Sequence, residues 1–361
     1  MDNRYAIIMA GGIGSRFWPL SRTEKPKQFI DILGTGETLI QQTYRRFKTA
    51  CAVENIFVVT SAEHKELVVE QLGIDPSRVL GEPFRRNTAP CIAYGTFRIL
   101  KENPDAVIVV TPADHLIIKE DKFCEILNNC FEFAEGNDAL ITLGIKPDRP
   151  ETGYGYIQAD RKKPVKGHNN LLKVKTFTEK PDIDLAKRFL ESGDFFWNSG
   201  IFIWNTKSIL AAFEKHLTDT YHIFDEGRNI FGTMQEKEFI GKIYAECRSI
   251  SIDYGIMEKA DNVYVMCTDI GWSDLGTWSS LSEHSTLDKK GNAIIRGDVF
   301  SYDNKGNIFN IAPGKVAVLQ GLKDYIVVDS DDVLLIVKKE EEQNIKQYLE
   351  DVKKSTKEKY M

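Results

Sequence analysis

YAIIMAGGIGSRFWPLSRTEKPKQF, residues 5–29, is the stretch of sequence that decides the fold of this chain. Its first part, Ala6–Ala10, is a continuous apolar run, which is typical of a parallel strand buried on both faces. Strand-like and helix-like segments then alternate as far as Ile145, and this alternation favours an α/β fold with a mostly parallel mixed sheet. Ligands of such sheets bind beyond the carboxyl ends of the strands, which is where the quoted stretch continues.

A glycine-rich turn and two cations follow the strand. Gly11, Gly12 and Gly14 let the backbone turn sharply and bring N–H groups against phosphate oxygens without interference from a Cβ atom. Arg16 and Lys27 supply the positive charge that a polyphosphate needs. The stretch therefore predicts a site for a nucleoside triphosphate.

Two better-known glycine loops do not fit this pattern. A dinucleotide-binding fingerprint requires a third glycine where Phe17 stands and an acidic residue after the second strand, but Ile56–Thr60 ends in threonine. A Walker loop requires Gly-Lys-Ser/Thr at the spacing where Gly11 is followed by Arg16-Phe17.

GGxGxR with PKQF behind it resembles the signature of the sugar nucleotidyltransferase family, in its mannose-1-phosphate guanylyltransferase branch. Seven further motifs of that family follow in order: EPFRRNTAP (82–90), TPADH (111–115), ETGYGYI (151–157), FTEKP (177–181), WNSGIF (197–202), SIDYGIMEK (251–259) and GWSDLGTW (271–278). FTEKP departs from the family's FVEKP only at Thr178, which keeps a β-branched shape.

The resemblance implies two domains. Residues 1–287 are expected to form a Rossmann-like nucleotidyltransferase core, and residues 288–361 a small β-rich, β-helix-like domain. The charged segment 340–359 is expected to be a terminal helix that acts as a solvated cap.

The resemblance also implies a reaction, the transfer of GMP from GTP to α-D-mannose 1-phosphate with release of pyrophosphate. In such a reaction a sugar-phosphate oxygen attacks the α-phosphorus in line, and the enzyme positions the reactants and neutralises charge. Two alternatives remain open: a guanylyltransferase for a manno-configured heptose 1-phosphate, and a non-catalytic regulatory subunit that binds GDP-mannose. No cupin-like extension follows residue 361, so an isomerase activity is not expected.

Two aspartates match the metal-binding positions of the family. Asp114 follows an apolar strand and Asp274 lies in GWSDLGTW, and two carboxylates with phosphate oxygens suit Mg²⁺. Either aspartate could instead form a turn. The catalytic cations implied by the resemblance are Arg16 and Lys27 at the triphosphate and Lys180 at the sugar phosphate.

The resemblance implies two binding sets. The nucleotide-binding set is Ala10, Gly11, Gly12, Gly14, Ser15, Arg16, Lys27, Glu82, Asn87, Thr88 and Asp114. The sugar-phosphate-binding set is Gly153, Tyr154, Gly155, Glu179, Lys180 and Asn198. Asn87 and Thr88 could equally cap the helix that begins near Ala89, and Asn198 could be a turn residue beside Gly200.

Composition excludes several other classes of protein. The net charge of -6 gives no general attraction to nucleic acid or anionic membrane, and no apolar run approaches the roughly 18 residues of a membrane span. The amino terminus lacks a signal-peptide pattern, so a cytoplasmic location is expected. The six cysteines have no CxxC pair and fit neither a disulfide framework nor a zinc site. A homodimer is possible through the β-rich domain.

Overall fold

The computed structural model describes residues 3–356 and 360 of the chain. Within them the strands β1–β17 span Arg4–Ala10, Ile56–Ser61, Val79–Glu82, Val107–Pro112, Leu116–Ile117, Leu140–Ile145, Gly155–Val165, His168–Glu179, Phe195–Asn205, Val263–Thr268, Trp272–Ser273, Ala293–Arg296, Asp298–Tyr302, Ile308–Asn310, Val316–Gln320, Tyr325–Asp329 and Leu334–Lys338. The helices α1–α10 span Leu39–Phe47, Lys65–Leu72, Thr88–Glu102, Glu120–Gly136, Ile183–Ser192, Thr206–His216, Thr218–Asp225, Glu236–Glu246, Trp278–Ser282 and Ile345–Thr356. No helix among the described residues has both the length and the apolar composition needed to cross a membrane.

A nine-stranded sheet has the strand order β3-β2-β1-β4-β9-β6-β10-β8-β7. Strand β1 lies between β2 and β4 and is parallel to both, so the carboxyl ends of these three strands share one edge of the sheet. Of the eight neighbouring pairs in this sheet, four are parallel. The other four are antiparallel, so the prediction of a mostly parallel sheet is wrong although the prediction of a mixed sheet is confirmed.

One of the four antiparallel pairs is a hairpin. Strands β7 and β8 form a hairpin, and β9 runs antiparallel to both β4 and β6. Antiparallel neighbours need only a short turn between them, whereas parallel neighbours need a crossover of a dozen or more residues. The chain uses crossover helices in its first half and a hairpin afterwards.

Helix α3 packs closely on β1 in the core of the sheet. Ile7 of β1 is fully buried, and a Cβ atom at Gly95 of α3 would lie 2.6 Å from Ile7 Cδ1. Only glycine allows the helix to approach this closely. The contact holds α3 against the strand that carries the glycine-rich turn.

Residue contacts divide the chain into two compact units. Unit 1 comprises residues 1–11, 44–113 and 117–272 and contains the nine-stranded sheet. Unit 2 comprises residues 12–43, 114–116 and 273–361. The predicted domain division between residues 287 and 288 stays a prediction.

Unit 2 joins the basic segment after the glycine-rich turn to the β-rich end of the chain. Phe17 and Trp278 pack in one apolar cluster with ring centroids 5.1 Å apart, and Ile345 of α10 is fully buried in it. Leu349 and Val352 of α10 also pack against this cluster. The prediction of a solvated helix is therefore wrong for this face, because apolar positions spaced three or four residues apart form a stripe even in a highly charged helix. Residues 357–359 of the predicted helix lie outside the described residues.

The β-rich part of unit 2 consists of short strands that mostly pair in parallel, although β17 is antiparallel to β16. Strand β14 pairs in parallel with β12 and β16, and β13 pairs in parallel with β15. Asn292 and Asn307 lie buried between these strands, and Asn307 Nδ2 donates a 2.9 Å hydrogen bond to Asn292 Oδ1. These amides satisfy one another and the neighbouring backbone where no water reaches.

Candidate active site

Unit 2 contains a cavity of about 270 Å³ on which Lys27, Asp114 and Asp274 converge. Residues 14–16 of the glycine-rich turn line the same cavity. Three of the motifs recognised in the sequence therefore meet in one place, although up to 260 residues separate them along the chain.

Lys27 lies at the centre of this arrangement. The residue is only 3% exposed, and its Nζ lies 3.0 Å from Asp114 Oδ2. Nζ also donates a 2.8 Å hydrogen bond to the main-chain oxygen of Asp274, and the Phe17 ring lies against it with its centroid 5.5 Å away. A buried ammonium needs such partners, so these groups hold the side chain in one position.

Gly14 allows the chain to bring Lys27 to this position. Its φ of 72° is in the left-handed region, and a Cβ atom there would collide with the stem of Lys27. Glycine is thus required both by the backbone conformation and by the close contact. Gly12, by contrast, faces open space, since a Cβ atom there would meet nothing within 4 Å.

The two aspartates present oxygen atoms to the cavity in different ways. Burial opposes ionisation of Asp114, but the ammonium of Lys27, together with His115, holds the pKa of that carboxyl below its usual value. Asp274 Oδ1 accepts a 2.9 Å hydrogen bond from the N–H of Gly276, which is the turn geometry that the sequence left open. Leu275 between them has a φ of 45°, and such strained backbone in a branched residue is found mainly at functional sites.

This donor set fits Mg²⁺. Asp114 and Asp274 line one cavity, and Mg²⁺ is commonly bound by one or two carboxylates together with substrate phosphates and waters. The described residues contain no cluster of three or more His, Cys, Asp or Glu side chains placed to hold a metal ion, so phosphate oxygens and waters would complete the coordination.

Two further cations line the same cavity, Arg16 and Lys346. Arg16 Nε donates a 2.8 Å hydrogen bond to Gln343 Oε1, which fixes the guanidinium beside the β-rich part of unit 2. Sequence reasoning missed Lys346, because a single lysine in a charged helix outside every motif gives no signal. Its position follows from the burial of Ile345 next to it.

In unit 1, Glu82 and Gly11 lie together at the ends of their strands. Glu82 is 7% exposed, and a Cβ atom at Gly11 would lie 3.7 Å from Glu82 Oε2. Burial raises the pKa of Glu82 to about 7, although the hydroxyl of Tyr244 donates a 3.0 Å hydrogen bond to Oε1. Ala10 precedes Gly11, and its main-chain oxygen accepts a 2.9 Å hydrogen bond from Thr60 Oγ1.

Asn87 and Thr88 form the start of α3. Asn87 has a φ of 67°, and its Oδ1 accepts a 2.8 Å hydrogen bond from the N–H of Thr88. Thr88 Oγ1 accepts a 2.8 Å hydrogen bond from the N–H of Ile252. The capping interpretation of Asn87 is thus confirmed, and a contact of either residue with a base stays a prediction.

The predicted sugar-phosphate residues gather in another part of unit 1. Gly155 pairs with Glu179 across the β7–β8 hairpin, and a side chain at Gly155 would collide with the Glu179 carboxylate. Lys180 Nζ lies 3.0 Å from Glu179 Oε1, and Lys180 has a φ of 48°. Desolvation lowers the pKa of Lys180, but the stronger combined effect of Glu179 and Asp253 raises it.

Tyr154 and Gly153 precede this hairpin. The Tyr154 ring makes edge-on contacts with Trp197 and Trp272, at centroid distances of 5.2 and 5.3 Å. The N–H of Gly153 donates a 3.0 Å hydrogen bond to Glu151 Oε1. These ring contacts fix the segment that leads into the β7–β8 hairpin, and Gly153 in this segment is exposed.

Asp253 belongs to this group and was missed by sequence reasoning. Asn198 Nδ2 donates a 2.8 Å hydrogen bond to Asp253 Oδ1, while Asn198 Oδ1 accepts from Thr142 Oγ1 at 2.9 Å. Burial and the nearby Glu179 carboxylate raise the pKa of Asp253 to about 7. The motif SIDYGIMEK contained the signal, but no chemistry could be assigned to it without the partner on β9.

Comparisons with known proteins support the motif assignment. The family model described as nucleotidyl transferase matches residues 5–291. Mannose-1-phosphate guanylyltransferase 2 of Escherichia coli O157:H7 is 36% identical over 359 residues, which cover 96% of this chain and 73% of that protein. Xanthan biosynthesis protein XanB of Xanthomonas campestris pv. campestris is 36% identical over 361 residues, covering 98% of this chain and 74% of that protein.

A solved structure is similar over nearly the whole chain. It is described as a mannose-1-phosphate geranyltransferase from Thermus thermophilus and is 30% identical, with a TM-score of 0.87. The similarity covers 97% of this chain and 99% of that one.

Proposed function

Because the chain belongs to the nucleotidyl transferase family and groups there with the mannose-1-phosphate guanylyltransferases, we propose that it transfers GMP from GTP to α-D-mannose 1-phosphate. The products are GDP-mannose and pyrophosphate. The observation that carries this proposal is the buried Lys27, which is paired with Asp114 in the cavity that Asp274 also lines.

The proposed chemistry is an in-line displacement without a protein nucleophile. A phosphate oxygen of mannose 1-phosphate attacks the α-phosphorus of GTP, the bond to the bridging oxygen of the β-phosphate breaks, and pyrophosphate leaves. Lys27 and Arg16 neutralise charge on the triphosphate, and the turn residues Gly11, Gly12, Gly14 and Ser15 offer backbone N–H groups to it. Asp114 and Asp274 hold Mg²⁺, which when bound supplies further charge neutralisation at the phosphates.

The proposed sugar site uses the group around Glu179. Lys180 is 59% exposed and reaches solvent, so its ammonium is available to the phosphate of the sugar. Glu179 accepts hydrogen bonds from sugar hydroxyls, Asn198 donates its second amide hydrogen, and residues 153–155 pass close to the ring. Asp253 is a positioning residue, since it fixes the orientation of the Asn198 amide.

The proposed base site uses Ala10, Gly11, Glu82, Asn87 and Thr88. Guanine has hydrogen-bond donors at N1 and N2, which require an acceptor, and the carboxylate of Glu82 beside Gly11 is such a group. The β-helix-like nature of residues 288–361 is part of the same proposal and is supported by the short parallel strands. A homodimer and a cytoplasmic location belong to the proposal as expectations from the sequence.

Pyrophosphate release by the purified chain tests the proposal. GTP, ATP, UTP, CTP and dTTP are crossed with mannose, glucose and manno-heptose 1-phosphates, with Mg²⁺ or with EDTA. Release with GTP and mannose 1-phosphate that EDTA abolishes is the expected result. Release with the heptose substrate alone would replace the sugar, and binding of GDP-mannose without any release would indicate a regulatory subunit.

A further inference from the structure

Unit 1 contains a second, larger cavity that has no part in the proposed reaction. Its volume is about 660 Å³, within the range of about 300–1,000 Å³ that is usual for small-molecule sites. It lies beside β3, which is an edge strand of the sheet, and residues of α2, α3 and α8 complete its walls. Every lining residue belongs to unit 1.

The walls of this cavity combine apolar surface with positive charge. Val79, Leu80 and Ile240 supply apolar surface. Lys65 and Lys237 line the cavity as well, and neither ammonium forms an ion pair with any residue that the structure describes. An apolar cavity with unpaired cations attracts an organic anion more than a neutral or cationic ligand.

One acidic group that lines the cavity, Glu236, already has hydrogen-bond and ion-pair partners. Glu236 Oε1 accepts a 2.8 Å hydrogen bond from the hydroxyl of Tyr94, and Oε2 accepts one of 2.6 Å from the N–H of Gly232. Arg98 Nε lies 3.7 Å from the same carboxylate. Glu66 is then the remaining acidic side chain among the described lining residues, which also include Lys65 and Lys237.

A chain of contacts leads from this cavity to Glu82. The rings of Tyr94 and Tyr244 are in edge-on contact with centroids 6.2 Å apart. The hydroxyl of Tyr244 donates to Glu82 Oε1, whose partner oxygen faces Gly11. All of these groups except Gly11 are buried, so a movement of Tyr94 cannot be absorbed by solvent.

We propose that this cavity is a second ligand site that takes an organic anion with an apolar or aromatic body, and that its occupancy changes nucleotide affinity through Tyr94, Tyr244 and Glu82. The second half of this statement rests on the proposed function. Linkage requires the effect to be reciprocal: a nucleotide that alters Glu82 changes the affinity of the cavity by the same factor.

Titration of the purified chain with 8-anilinonaphthalene-1-sulfonate, followed by fluorescence, tests the site. One saturable site is expected, weakened about tenfold or more by the double substitution Lys65→Glu and Lys237→Glu. Lys242→Glu is the control for the change on α8, because it reverses one charge on the same helix without lining the cavity. Circular dichroism confirms that each variant is folded. Equal affinity in the double variant and the control, or binding only at several weak sites, would refute the proposal.

A second titration at saturating Mg-GTP tests the linkage, with GTP binding measured separately by calorimetry. The dissociation constant of the dye is expected to change about fivefold or more, and Tyr244→Phe should remove this change while it keeps the aromatic ring. An unchanged constant, in protein that binds GTP, would overturn the linkage alone. Protein that does not bind GTP would overturn the proposed function, and the linkage with it, while the first titration still decides the site.

Discussion

Replacing Lys27 with methionine should slow the reaction without unfolding the protein. Methionine keeps most of the stem that packs against Gly14 and removes only the ammonium, which lies 3.0 Å from Asp114. An ammonium and a phosphate charge about 4 Å apart, at an effective dielectric constant near 20, interact by roughly 4 kcal/mol. Loss of one preorganised donor to a transition state typically costs on the order of 10²- to 10³-fold in kcat. Since about 1.36 kcal/mol corresponds to a tenfold change in rate, roughly 4 kcal/mol is equivalent to about 10³-fold, and the two magnitudes agree. We therefore expect Lys27→Met to lower kcat by about 10²- to 10³-fold.

The assay is steady-state pyrophosphate release at saturating GTP and mannose 1-phosphate, with thermal unfolding measured in parallel. Lys25→Met is the matched control, since Lys25 is exposed two residues away and does not line the cavity of Asp114. An undiminished kcat in Lys27→Met would refute the role assigned to this ammonium. An equal loss in both variants would show that the effect comes from the segment and not from the cavity.

Three further predictions concern other parts of the molecule. Gly14→Ala should destabilise the protein by about 1–2 kcal/mol or more, because it adds left-handed strain and a collision, and urea unfolding measures this. Lys180→Gln should raise KM for mannose 1-phosphate and leave KM for GTP unchanged, because the ammonium is expected to contact only the sugar phosphate; equal changes in both would contradict the assignment. The pKa of Asp253 is raised to about 7 in the folded state. Between about pH 4 and 7 the folded protein therefore keeps a proton on this carboxyl that the unfolded chain releases. The free energy of unfolding must then fall as pH rises through this window. Asp253→Asn should therefore reduce that fall in thermal midpoints between pH 4 and 7, and an unchanged profile would contradict the shift.

The sequence predicted local elements well and sheet geometry less well. Helix α5 is clearly marked in the sequence, because an acidic cap, an amphipathic pattern and a following glycine all delimit it. The strand β7 was not predicted, since its polar segment Gln158–Pro164 carries no buried alternation. Without β7 its pairing with β8 could not be foreseen, and the sheet was therefore taken to be mostly parallel.

The candidate site shows the same limit at the level of single side chains. Lys27 and Asp114 could be found in motifs, but their contact across 87 residues depends on how the glycine-rich turn places the lysine. Asp253 is hydrogen-bonded to Asn198, and Lys346 lines the cavity of Lys27 and Asp114. In both cases the residues that meet are distant in sequence. Residue type and spacing hold no information about such contacts, because tertiary packing determines them.

Detection of the nucleotide-sugar product by mass spectrometry is the most direct test of the central claim. The purified chain is incubated with Mg²⁺, GTP and mannose 1-phosphate, and GDP-mannose and pyrophosphate are quantified together. The proposed reaction predicts that the two products appear in equal amounts and only when both substrates are present. Conversion of GTP into GDP and phosphate, or no product at all from folded protein, would contradict it.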